Sequence, residues 1–133
     1  MSGRDECPTQ EAPVGTIRLS RIYDHEPKPP GKLYLVERLW PRGVRREDAD
    51  LDDWLKDVAP STELRRWFSH DPKKWDEFRR RYAVELDAHP QAWKALIRQA
   101  HDVTLLYSSR DREHNNAVAL RDYLHARIAE QND

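Results

Sequence analysis

The residues best equipped for chemistry gather late in the chain. Tyr107, Ser108, Ser109, Arg110, Asp111, His114 and Asn115 form its densest polar cluster. Arg110 offers a planar donor fork suited to phosphate or carboxylate. His114 can give or take a proton near neutral pH, and Asp111 can do so or orient a partner. If a helix begins within this run, its free N–H groups and dipole add a pull on anions. A second cluster lies earlier, in Trp40-Pro41-Arg42-Gly43. Pro41 stiffens that turn and Gly43 permits unusual backbone angles, so Arg42 can be held in one place. Together these residues describe an anion site built from Arg42, Arg110 and the start of the last helix, with His114 or Asp111 moving a proton. Plainer readings stand beside each. Asp111 is a good helix N-cap. His114 can be an ordinary histidine near a helix start, and Arg42 an exposed turn residue. Trp40, ending an apolar stretch, packs inward as core or pocket wall. Arg38 can pair with Glu37 or with the acidic stretch that follows.

Those clusters need elements to position them. Thr16 to Ile22 alternates as a first strand, and the Pro- and Gly-bearing stretch His25 to Gly31 is a loop. Lys32 to Leu39 reads as a second strand, apolar enough to be buried on both faces. Leu51 to Val58 fits both strand and helix spacing, with the balance toward strand. Ser61 caps a short helix through Phe68. Asp71 and Pro72 open a longer one striped by Trp75, Phe78, Tyr82 and Leu86. Pro90 opens another, with Trp93, Leu96, Ile97 and Ala100 on one face. Val103 to Tyr107 has the composition of a central strand. A final helix turns Ala117, Leu120, Leu124 and Ile128 inward.

Strands alternating with amphipathic helices predict an α/β domain: a small, mostly parallel or mixed sheet of about four strands with helices packed on it. Ligands of such sheets sit beyond the carboxyl ends of the strands. That rule selects Trp40 to Gly43, Ala59 to Thr62 and Ser108 to Asp111 as loops sharing one edge.

Composition narrows the function classes. The 133 residues suit one domain, expected over residues 15–133 behind a flexible N-terminal tail, 1–14. Charged residues make up 35% of the chain yet sum to a net charge of −1, so a non-specific nucleic-acid binder is disfavoured. The local arginines 38, 42, 45 and 46 are answered by the acidic stretch Glu47 to Asp53. Arg79-Arg80-Arg81 lies off the apolar stripe of its helix and reads as a solvated face. Cys7 is the single cysteine, which excludes an internal disulfide. No stretch is long and apolar enough for a membrane span or a secretory signal, so a cytoplasmic protein is expected. His114 and His125 are about 16 Å apart along a helix and cannot share one ion, so no metal site is expected. A Walker loop and a GxGxxG turn are both missing from the sequence, and no cofactor is expected.

Several segments resemble one bacterial group, the YeaO-like family or domain of unknown function 488. They are Glu37-Arg38-Leu39-Trp40-Pro41-Arg42-Gly43, Trp54 through Ser61, Trp67-Phe68-Ser69-His70-Asp71-Pro72, and Thr104 through Asp111 with His114-Asn115-Asn116-Ala117. The likeness runs from about Thr16 to Leu124. It implies a compact α/β domain and concentrates the family pattern in the strand-end loops. The family's usual Asp is replaced here by Glu37. Its motif also includes Lys56 and Ser61, which adds both to the ligand-site candidates beside Arg42, Arg110, Trp40, Tyr107, Ser108 and Asn115.

Two classes of function use these residues. One is an enzyme acting on a small anionic substrate, phosphate- or nucleotide-like, with Arg42 and Arg110 as anion holders and His114 or Asp111 as acid–base groups. The other is a non-catalytic module that binds such an anion or docks on a protein. A poised acid or base beside the pocket separates them.

Overall fold

The computed structural model describes residues 17–24, 31–49, 51–98 and 103–131. The expected tail, most of the Pro-rich loop (residues 25–30) and Ala100 lie outside them. The strands are β1 (Ile17–Arg21), β2 (Lys32–Leu35), β3 (Asp53–Trp54) and β4 (Val103–Tyr107). They form one sheet in the order β1-β4-β2-β3, with every pair parallel. β4 is central because its residues can be buried on both faces. Val103, Leu105 and Tyr107 join the larger core cluster, while Leu106 joins a smaller one with Ile22, Leu33 and Leu35.

The helices are α1 (Arg46–Ala49), α2 (Thr62–Phe68), α3 (Trp75–Ala88), α4 (Lys94–Arg98) and α5 (Asn116–Gln131). Buried side chains of α2 to α5, among them Phe68, Phe78, Tyr82, Leu96, Leu120 and Leu124, share the larger cluster with the sheet. The smaller cluster, on the other side of the sheet, is closed by Trp40, Val44, Leu51 and Trp54. The expected inner residues of the last helix, Ala117, Leu120, Leu124 and Ile128, are all buried. Ser61 caps α2 by accepting the Leu64 N–H at 3.1 Å. Asp71 caps a 3₁₀ turn, Pro72–Lys74, that leads into α3. Pro90 likewise opens a 3₁₀ turn, Pro90–Ala92, ahead of α4. Arg79, Arg80 and Arg81 are exposed, and Arg80 and Arg81 pair with Glu77. No described helix is long and apolar enough to cross a membrane.

Two elements differ from the sequence pattern. β2 ends at Leu35, although Val36 still donates its N–H to the Leu106 carbonyl at 3.1 Å. Beyond it, side chains take over the bonding. Glu37 turns to Ser108, while Arg38 donates to the carbonyls of Ala59 (2.9 Å) and Pro60 (3.1 Å) rather than to a carboxylate. Leu39 is left 64% exposed, so the apolar run overstated the strand. The stretch 51–58 is neither one strand nor one helix. β3 is followed by a 3₁₀ turn, Lys56–Val58. Its mixed spacing has a physical origin: Leu51 and Trp54 serve the smaller cluster, while Leu55 and Val58 serve the larger.

Candidate functional site

The chain builds a cavity of about 120 Å³ beyond the carboxyl ends of β2 and β4. Glu37, Arg65, His70, Ser108, Ser109, His114, Asn115 and Asn116 supply its polar lining; Pro60, Phe68 and Phe78 supply apolar wall. Phe68 and Phe78 are stacked at 4.3 Å, which fixes that wall.

Glu37 is the buried charge of the site, 8% exposed. Its carboxylate accepts the Ser108 backbone N–H at 3.0 Å. Burial raises its pKa above the usual carboxylate value; Ser108, Arg65 and His70 oppose that rise. Arg65 comes from the middle of α2, and among the described residues it makes no ion pair. His70 stands in the turn after α2, where Ser69 (φ 48°) and His70 (φ 56°) both adopt the left-handed region. That strained pair reverses the chain between α2 and the Pro72–Lys74 turn and puts His70 at the cavity.

His114 is the best-supported side chain. Its Nδ1 lies 2.9 Å from Asp111 Oδ2, and its ring meets the Trp75 ring edge-on at 5.3 Å. Asp111 also accepts the N–H groups of Glu113 (2.9 Å) and His114 (3.0 Å). Partial burial pushes the Asp111 pKa up, but these hydrogen bonds outweigh it and hold the carboxyl below its usual value. An ionised Asp111 only accepts, so Nδ1 carries the ring proton and Nε2 is left for other partners.

Asp111 caps the bend at residues 111–114, not α5. The helix starts at Asn116, and Asn115 caps it by accepting the Val118 N–H at 3.0 Å. His114 therefore stands before the helix rather than inside it. Asn115 also donates to the Asp111 carbonyl, and Asn116 donates to the Val36 carbonyl, tying this loop to β2.

Of the residues singled out by sequence, Ser108, His114 and Asn115 line this cavity, with Asp111 behind His114. The others lie elsewhere. Tyr107 is buried in the larger core cluster. Trp40 packs edge-on against Trp54 and donates to the Val44 carbonyl. Lys56 lies 4.7 Å over the Trp54 ring. Ser61 bonds Glu85 through its N–H (2.8 Å) and hydroxyl (2.6 Å), beside a second cavity that holds Arg38, Tyr82 and His89. Arg42 and Arg110 are exposed and outside the strand-end cavity; the Tyr23 hydroxyl donates to the Arg42 carbonyl. Glu37, Arg65, His70 and Asn116 were not among the sequence candidates. Glu37, His70 and Asn116 do fall within the family-like segments, whereas Arg65 carried no signal beyond its place in a helix. Among the described residues no group of three His, Cys, Asp or Glu could hold a metal ion.

A family model described as the inactive DUF488-N3 subclade matches residues 16–133. The Escherichia coli K12 protein named uncharacterized protein YeaO is 41% identical over 110 residues, covering 81% of this chain and 96% of the relative. Uncharacterized proteins of Mycobacterium bovis and Mycobacterium tuberculosis are 38% identical over 114 residues, covering 84% of this chain and 95% of theirs. No solved structure gives a significant match. The chain belongs to the YeaO-like DUF488 family.

Proposed function

We propose that this chain is a non-catalytic binding module that holds a small anion of the phosphate-containing class in the strand-end cavity. One observation carries the reading. Arg65, His70 and His114, three cationic or potentially cationic side chains from separate segments, line one cavity, and Arg65 has no ion-pair partner among the described residues. An anion would give that guanidinium a charge-assisted partner. Binding without turnover is favoured by the family description, the inactive DUF488-N3 subclade.

The His114–Asp111 pair favours a second reading, an enzyme whose His114 Nε2 acts as general base. Thermal shift with inorganic phosphate, run on the parent and on Arg65→Ala, tests the first reading. Phosphate should raise the parent's melting temperature and leave the variant's unchanged; equal shifts would overturn it. Phosphoester turnover by the parent that His114→Ala abolishes would replace the module with the enzyme.

A further inference from the structure

We infer that the cavity selects an anion that brings its own hydrogen-bond donor, as hydrogen phosphate does, and disfavours sulfate, because the Glu37 carboxylate shares the lining with the cations. This rests on the binding reading above and names the ligand within it.

Glu37 is more than nine-tenths buried and lines the same cavity as Arg65, His70 and His114. A carboxylate offers about four acceptor positions. The Ser108 N–H uses part of that capacity. The remainder faces a space in which the other charged or chargeable groups attract anions. Such a cavity is bipolar. One side donates to an anion's oxygens; the other repels a bare oxygen and accepts from a hydroxyl. Hydrogen phosphate satisfies both sides, since it keeps a proton throughout the neutral range. Sulfate is nearly the same size and keeps none, so one of its oxygens would face Glu37 lone pair to lone pair. A phosphomonoester loses its second proton at about pH 6 and above that joins sulfate. Size cannot separate these ions; the acceptor can. Specificity of this kind comes from a group left unsatisfied by the wrong ligand.

Asp111 does not confuse the assignment, because its carboxylate is committed to two backbone N–H groups and to His114.

The test is isothermal titration of the full chain with inorganic phosphate, sulfate and methyl phosphate, at about pH 8 and matched ionic strength. Phosphate should bind about tenfold or more tighter than either other anion, the weight of one hydrogen bond to a charged group. In Glu37→Gln the amide can turn its N–H to a bare oxygen, so sulfate should gain and the preference fall to about twofold or less. Equal binding of phosphate and sulfate by the parent overturns the inference and leaves the anion reading standing. Methyl phosphate binding as tightly as inorganic phosphate overturns it too, as does a preference that survives in Glu37→Gln. Binding of none of the three removes the anion reading itself. Should Glu37→Gln fail to fold, the sulfate and methyl phosphate titrations of the parent decide the matter alone.

Discussion

Glu37 and Ser108 join the carboxyl ends of β2 and β4: across 71 positions of sequence, the Glu37 carboxylate accepts the Ser108 backbone N–H at 3.0 Å. The bond replaces the sheet ladder where β2 stops. It also fixes the loop that carries Ser109, Asp111 and His114 against the chain that carries Arg38. A buried carboxylate is costly unless bonded, and here the Ser108 N–H and a nearby guanidinium offset the cost.

That cost has a pH signature. The folded-state pKa of Glu37 is raised above its ordinary value of 4.5, chiefly by burial. The folded state therefore holds this proton more tightly than the unfolded state. The associated stability is fully present below about pH 4.5 and is lost as pH rises through the folded pKa. Thermal melts of the parent and of Glu37→Gln across this range should diverge, with the difference moving in favour of the glutamine variant as pH rises. A difference that is flat with pH would show that Glu37 titrates normally in the fold.

Asp111 has the opposite sign. Despite partial burial, its hydrogen bonds lower its pKa from 3.8, so its contribution is present above that value and lost as pH falls through the folded pKa. Asp111→Ala removes acceptors for two backbone N–H groups and for His114. It should cost about 1–2 kcal/mol, as loss of a cap does. Asp111→Asn keeps an acceptor for the N–H groups and should cost less. Urea unfolding at neutral pH measures both; equal losses would mean that the carboxylate's charge, not its capping, matters.

Much of the fold was legible because local and long-range demands agree. Val103 to Tyr107 is buried throughout since both faces are covered, and the Ser61 and Asp71 caps act within a few residues. The end of β2 was not legible, because it depends on Glu37 and Arg38 reaching Ser108, Ala59 and Pro60. The site was half legible for a related reason. The strand-end rule found the Ser108–Asn115 loop. It also selected Arg42, but after Leu39 the chain turns to the other side of the sheet, where Trp40 packs on Trp54. Arg65 was hidden because a helix pattern reveals which residues are buried, not what an outward one faces.

Ser61 shows how one residue of the family motif can be explained by structure. Its hydroxyl oxygen accepts from Leu64 N–H while donating to Glu85, whose carboxylate also takes the Ser61 N–H. Ser61→Ala should destabilise the protein by about 1–3 kcal/mol, through the lost cap and the weakened hold on a part-buried carboxylate. Glu85→Gln should be partly redundant with it, so the double variant loses less than the sum. Denaturant unfolding of the three variants measures this, and strict additivity would refute the coupling.

The arginines give the sharpest contrast for the site. Arg65 lines the strand-end cavity, and its charge helps hold Glu37 ionised; Arg42 and Arg110 are exposed and lie outside that lining. If the cavity is the anion site, Arg65→Ala should weaken phosphate binding by about tenfold or more, since a charge-assisted bond is lost. It should also raise the Glu37 pKa further, so the pH window over which the Glu37 and Glu37→Gln stabilities diverge extends upward in the Arg65→Ala background. Arg42→Ala and Arg110→Ala, by the same geometry, should leave phosphate affinity within about twofold, because exposed charges outside the cavity act through screened solvent. Titration of phosphate into the three single variants checks the contrast directly. Weakened binding in Arg42→Ala and Arg110→Ala with Arg65→Ala unaffected would move the anion to the edge between those two loops, and Glu37 would then have no part in choosing it.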